Sequence, residues 1–237
     1  MNNFTRGHSV SHSKTYDMGL REYMIGVYNN MLIALGITGA ASFLTISSGL
    51  IGLFFNQNGM SGLGYLALFA PFAFVMFLGF KIRTMEPAQA RIMLWVYSGL
   101  MGLSLAPIFL AYTGESIARV FFISASVFGA MSIYGYTTKR DLTGMGSFLF
   151  MGLIGIVIAS LVNIFMQSSA IYFVVSVLGV LIFTGLTAYD VQKIAQMYNY
   201  APNSQERARY AVVGALSLYL DFINLFLSML RLFGDRR

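Results

Sequence analysis

The chain has 237 residues, 57% of them hydrophobic and only 10% charged, with a formal net charge of +6 and no cysteine. So few charges exclude a soluble globular domain, which carries about 25% charged residues. The missing cysteines exclude disulfides, thiolate metal sites and cysteine nucleophiles. The basic residues sit in short loops between apolar blocks, which reads as a membrane-topology signal rather than a nucleic-acid surface.

The first stretch, residues 1–24, is polar and reads as an N-terminal cytoplasmic tail without a cleavable signal peptide. His8 and His12 lie in it, with no acidic or cysteine partner nearby for a metal site. Seven apolar blocks follow, approximately 27–54, 62–81, 91–112, 117–136, 146–167, 170–190 and 210–231. Each is about 20 residues or more, the length a helix needs to cross roughly 30 Å of hydrocarbon. Lipid offers the backbone no hydrogen-bond partner, so each block is expected to be helical, and the period-2 pattern of a barrel is absent. The fold class is therefore all-α: one polytopic membrane domain, residues 25–237, built as a seven-helix bundle. Gly36 with Ala40, Gly99 with Gly102, and Gly152 with Gly155 offer small surfaces for close helix approach.

Loop charges set an expected orientation. Arg6, Lys14 and Arg21 precede the first block. Lys81, Arg83 and Arg91 follow the second, Lys139 and Arg140 the fourth, and Lys193, Arg207 and Arg209 the sixth. The intervening loops carry no Lys or Arg, so the N-terminus is expected in the cytoplasm. The seventh block breaks the alternation, because a full crossing puts Arg231, Arg236 and Arg237 outside; it spans or re-enters.

Charged groups inside a bilayer cost at least about 2.5 kcal/mol each and are rarely idle. In the seventh block Ser217, Asp221, Asn224, Ser228 and Arg231 fall on one narrow helical stripe among Leu, Phe, Ile and Val. That stripe is expected to face protein or a water-filled cavity. Its reading is either functional or a hydrogen-bond network that only holds the bundle together. Asp190 closes the sixth block, with Thr187 on its face; it either reaches cytoplasmic water or approaches Asp221, which lies roughly 16 Å into its helix from Tyr210. Arg83 ends the second block, with Gly79 one turn earlier leaving room for a neighbour. Glu115 and Arg119 open the fourth block as a favourable i,i+4 pair, or Glu115 serves ion entry. Asp141 reads as a turn or cap residue and Trp95 as an interfacial anchor.

Two carboxylates close together in a low-dielectric site cannot both ionise cheaply and titrate as a unit. Such a pair can respond to protons, or offer hard oxygen ligands to a passing calcium ion. A Tyr-Asp on one helix and an Asp on the next also resembles intramembrane aspartyl proteases. Those carry Gly-x-Gly-Asp, whereas here the stretch is Leu218-Tyr-Leu-Asp221, with no glycine to open the backbone. The chain is therefore not expected to be an enzyme. A third reading is an interaction protein that regulates a membrane partner.

Three segments carry a stronger likeness: Tyr134-Gly-Tyr-Thr-Thr-Lys-Arg-Asp-Leu-Thr-Gly-Met-Gly-Ser-Phe-Leu149, Thr187-Ala-Tyr-Asp-Val-Gln192 and Tyr219-Leu-Asp-Phe-Ile-Asn-Leu-Phe226. Together they resemble the bacterial branch of the Bax inhibitor family (transmembrane Bax inhibitor motif proteins), over nearly the whole chain after about residue 20. The resemblance implies seven helices with the last one central, wrapped by the other six. It implies a pH-sensitive calcium leak across the bacterial cytoplasmic membrane, with no cofactor and calcium as the permeant ion. It implies that Asp190 and Asp221 sense protons and bind calcium transiently, while an arginine near the end of the second helix latches the closed form. Arg83 is the match, with Lys81 the close alternative. Some bacterial members restrain a membrane-anchored ATP-dependent protease, which makes a non-conducting regulator the competing reading.

Overall fold

The computed structural model describes residues 4–56 and 59–237, without the side chains of residues 4–17 and of Arg83. His8, His12, Arg6, Lys14 and the Arg83 side chain therefore lie outside the described residues. Among these, seven helices are long and apolar enough to cross a membrane.

Helix α1 runs Phe4–Ser47, so its backbone is already helical within the expected 1–24 tail, and its apolar span is Met18–Ser47. It stops earlier than the expected 27–54 block. Ser48 Oγ bonds back to the Leu44 carbonyl at 2.6 Å, and Gly49 then turns at φ 76°, a left-handed geometry that glycine takes without steric cost. A 3-10 turn, Leu50–Leu53, and two short paired strands, β1 (Phe55–Asn56) and β2 (Gly59–Met60), lead to α2. Helix α2, Gly62–Lys81, matches the expected block; Ser61 caps it by accepting from the Gly64 amide at 3.2 Å. The third span is broken: α3 (Pro87–Leu105) ends at Ala106–Pro107, and α4 (Ile108–Ala111) is one turn. Proline removes a donor and clashes with the preceding turn, which favours a break here, although α2 carries Pro71 within its length. Helix α5 spans Gly114–Thr137 and α6 Thr143–Met166. Helices α7 (Ser169–Tyr200) and α8 (Ser204–Phe233) complete the chain.

Helix α8 is central. Nearly all its residues from Ala211 to Leu230 are buried or half-buried. It packs mainly on α7, α1, α5 and α3. The expectation that six helices wrap it is refined. Helix α2 joins chiefly through α3 and α6 through α7, which leaves α6 with only Gly146 and Ile156 buried. Of the expected small-residue sites, Gly102 presses on Thr38, Ala41 and Ser42 of α1, and Gly152 on Ile182 of α7. Gly36, Gly99, Gly155 and Gly79 face open space, so Gly79 seats no neighbouring helix.

The seventh span, Ser204–Phe233, is long and apolar enough to cross a membrane. At one end of the bundle, Gln192 of α7 holds the 138–142 loop, accepting from the Leu142 amide at 2.9 Å and donating to the Arg140 carbonyl at 2.8 Å. There Asp141 accepts from the Thr143 amide and hydroxyl at 2.9 and 2.6 Å, which holds its carboxyl below the usual range and fits a turn residue; the N-cap position of α6 itself is Leu142. At the other end, the chain after α8 is tied to the α4–α5 junction. The Thr113 amide donates to the Asp235 carbonyl and the Arg237 amide to the Ala111 carbonyl, both at 3.1 Å. Arg236 donates to the Tyr172 hydroxyl at 2.9 Å. Arg119 pairs with Asp235 at 2.8 Å rather than with Glu115, because the tied-back chain end brings Asp235 to it; Glu115 stays exposed. Both partners are largely solvent-exposed, at 50% and 66%. Arg119→Ala is therefore expected to cost less than about 1 kcal/mol, read as a small change in melting temperature.

Candidate functional site

Asp190 is not at the end of its helix. The polar pair Gln192 and Lys193 interrupts the hydrophobic block, yet Val191, Ile194 and Tyr198 are buried and keep a core-facing stripe. The helix therefore continues for another two to three turns, which places Asp190 in its interior. From there it faces the central helix.

Asp221 is 6% exposed. Its carboxyl lies within hydrogen-bonding reach of the Asp190 carboxyl, yet its Oδ2 has no hydrogen-bond partner. Asp190 is half-buried, and Lys193, nearly one turn further on, acts on it as a neighbouring cation. An ionised carboxylate stranded in such surroundings costs several kcal/mol. Two acids this close cannot both ionise cheaply, and a proton on either one lets it donate to the other.

The rest of the expected stripe lies along the same seam. Ser228 packs against Gly179 of α7, where a methyl group would strike its hydroxyl. Arg231 stands 5.9 Å from the centre of the Tyr172 ring. Asn224 satisfies its amide on the Leu220 carbonyl of its own helix at 2.8 Å, and Ser217 is half-buried. Thr187, fully buried, bonds back to the Phe183 carbonyl at 2.7 Å. Lys81 is exposed at the end of α2. Among the described residues the ion pairs are Arg119–Asp235 and Arg209–Glu206, so Lys81 holds neither aspartate. No three His, Cys, Asp or Glu come together among the described residues. The two carboxylates bring four oxygens, short of the six to eight that calcium takes, so water or carbonyls would have to complete even a transient site.

A second polar node was not foreseen. Thr38 of α1 shares a 2.7 Å hydrogen bond with the Tyr219 hydroxyl of α8 and donates to the Ser98 carbonyl of α3 at 3.0 Å. The Tyr97 and Tyr219 rings meet edge to face at 5.7 Å. Beside it lies an apolar cavity of about 130 Å³, whose walls include Leu35, Leu105, Ile117, Phe121, Phe222 and Phe226.

The arrangement has relatives. Residues 20–237 match the family model described as "Inhibitor of apoptosis-promoting Bax1". The chain belongs to the Bax inhibitor family. An uncharacterised protein of Rickettsia prowazekii is 50% identical over 97% of this chain and 96% of its own length. The protein named "Inner membrane protein YbhL" in Escherichia coli is 43% identical, with full coverage of both chains. An uncharacterised membrane protein of Streptococcus pyogenes is 40% identical over 92% of this chain and 94% of its own. This Bax inhibitor family protein is thus a polytopic membrane protein, and its carboxyl pair lies within two of the segments that carried the resemblance.

Proposed function

We propose that this protein is a pH-sensitive, calcium-permeable leak channel of the bacterial cytoplasmic membrane, with its N-terminus in the cytoplasm. One observation carries the reading: Asp190 and Asp221 face each other within hydrogen-bonding reach, between the two helices that pack most extensively in the bundle. A proton shared by the pair holds α7 against α8. Its loss leaves two facing charges that repel each other at low dielectric. The same oxygens attract a divalent cation once the helices separate. Arg83 is the proposed latch, on the 3-10 turn Ile82–Thr84 that ends α2, and the buried α8 plugs the path. Glu115, exposed at the start of α5 on the opposite end, attracts cations to the entry.

The test is calcium entry into liposomes holding purified protein, scanned over pH. A leak whose rate changes with pH in the wild type supports the channel. No flux at any pH sinks it, and leaves a regulator that binds a membrane partner such as an anchored ATP-dependent protease. Flux that is equally pH-sensitive in wild type, Asp190→Asn and Asp221→Asn keeps the channel but removes its proposed sensor.

A further inference from the structure

The start of α1's apolar span, the end of α7 and the start of α8 meet at the basic end of the bundle. Tyr23 of α1 is 7% exposed, and its hydroxyl has no partner. Its ring lies 5.6 Å from that of Tyr198 on α7, and Tyr210 on α8 is close enough to act on it electrostatically. Over Tyr210, at 5.9 Å, stands the guanidinium of Arg209, whose Nε is also buried without a partner. One terminal nitrogen of Arg209 reaches Glu206 at 3.7 Å, a long contact that leaves Nε unanswered. Arg207 lies exposed over the Tyr198 ring at 4.6 Å.

Buried polar groups without partners are rare in folded proteins, and each calls for an explanation. Here two stand in one aromatic corner. The arginine Nε–H can only donate, and the tyrosine O–H can donate. Among the described residues neither group has an acceptor. On this turn of α8, Arg207 and Arg209 stand against Glu206 alone, which favours an anion. A planar guanidinium matches the oxygens of phosphate. Tyr23 and Arg209 lie within two turns of the ends of their apolar spans, Met18–Ser47 and Ser204–Phe233, and basic residues near such ends meet anionic lipid.

We propose that Tyr23, Arg209 and Arg207 form a binding site for a phosphate group, carried by a membrane phospholipid headgroup or free in solution. Tyr23 and Arg209 Nε donate to its oxygens, and Arg207 covers it from the solvent side. The tyrosine rings wall the site.

The test uses the purified full-length chain in detergent, melted with phosphatidylglycerol, with diacylglycerol, which has the same tails but no phosphate, or with inorganic phosphate. Phosphatidylglycerol is expected to raise the melting temperature by several degrees, and diacylglycerol to leave it unchanged. Tyr23→Phe and Arg209→Lys should each lose at least half of that gain. Without lipid, Tyr23→Phe should melt no lower than wild type, because it removes an unsatisfied hydroxyl and keeps the ring. If Arg209→Lys fails to fold, Tyr23→Phe decides alone. A gain reproduced by inorganic phosphate and lost in Tyr23→Phe assigns the site to soluble phosphate; a gain seen only with the lipid assigns it to headgroups. A gain undiminished in Tyr23→Phe, or no gain from either phosphate source, overturns the site.

Discussion

Asp221→Asn is expected to flatten the pH response of the leak: where wild-type flux varies at least tenfold between its most and least permissive pH, the variant should vary by less than about twofold. In the proposed switch the carboxyl pair is joined only while a proton sits between its oxygens. Asparagine at 221 supplies a permanent N–H donor of nearly the same shape, so Asp190 keeps a hydrogen-bond partner in either of its protonation states. A hydrogen bond involving a charged group contributes about 1.5–3 kcal/mol, and each 1.4 kcal/mol is a factor of ten in an equilibrium, which sets the tenfold expectation. Asp190→Asn should behave alike, since the pair acts as a unit. The measurement is the initial rate of calcium entry into proteoliposomes at matched protein loading. A steep pH response surviving in both variants would place the sensor elsewhere in the bundle.

How far the sequence reveals this site depends on the reach of each signal. Asp221 was legible because its neighbours at i−4, i+3 and i+7 are Ser217, Asn224 and Ser228, and a polar stripe on an apolar helix has few explanations. Asp190 was half legible. Its helix was expected to stop there because Gln192 and Lys193 lower the hydropathy, whereas the helix is carried on by Val191, Ile194 and Tyr198, which bury against the core. The break at Pro107 was readable in principle and was passed over because the apolar run continues through it. The Thr38–Tyr219 node was not legible at all. Its partners stand 181 residues apart, and a hydroxyl in a membrane helix is usually satisfied by its own backbone. The Arg119–Asp235 pair was missed for a related reason: local i,i+4 spacing suggested Glu115, while the chain end returns from across the bundle to claim the arginine.

The seam that holds Asp190 in place predicts a second large effect, at Gly135 of α5. A methyl group there would fall on the backbone carbonyl of Ala188 in α7. A side chain that meets another side chain can be accommodated by a rotamer change, but one that meets backbone can be accommodated only by moving a helix. Gly135→Ala is therefore expected to cost about 1–3 kcal/mol, the usual penalty of overpacking, and Gly135→Val more. Gly129, six residues earlier on the same helix, is the control. Nothing stands within 4 Å of its missing side chain, so Gly129→Ala should be neutral, or stabilising by up to about 1 kcal/mol through helix propensity. Thermal melting of the two variants side by side reads the difference. The consequence extends to function, because Ala188 lies about half a turn before Asp190. Pushing α5 and α7 apart shifts the carboxyl relative to Asp221, so Gly135→Ala should also move the pH dependence of the leak while Gly129→Ala leaves it in place. Equal melting temperatures for the two variants would mean that α5 and α7 do not cross as closely as the contact between Gly135 and Ala188 requires.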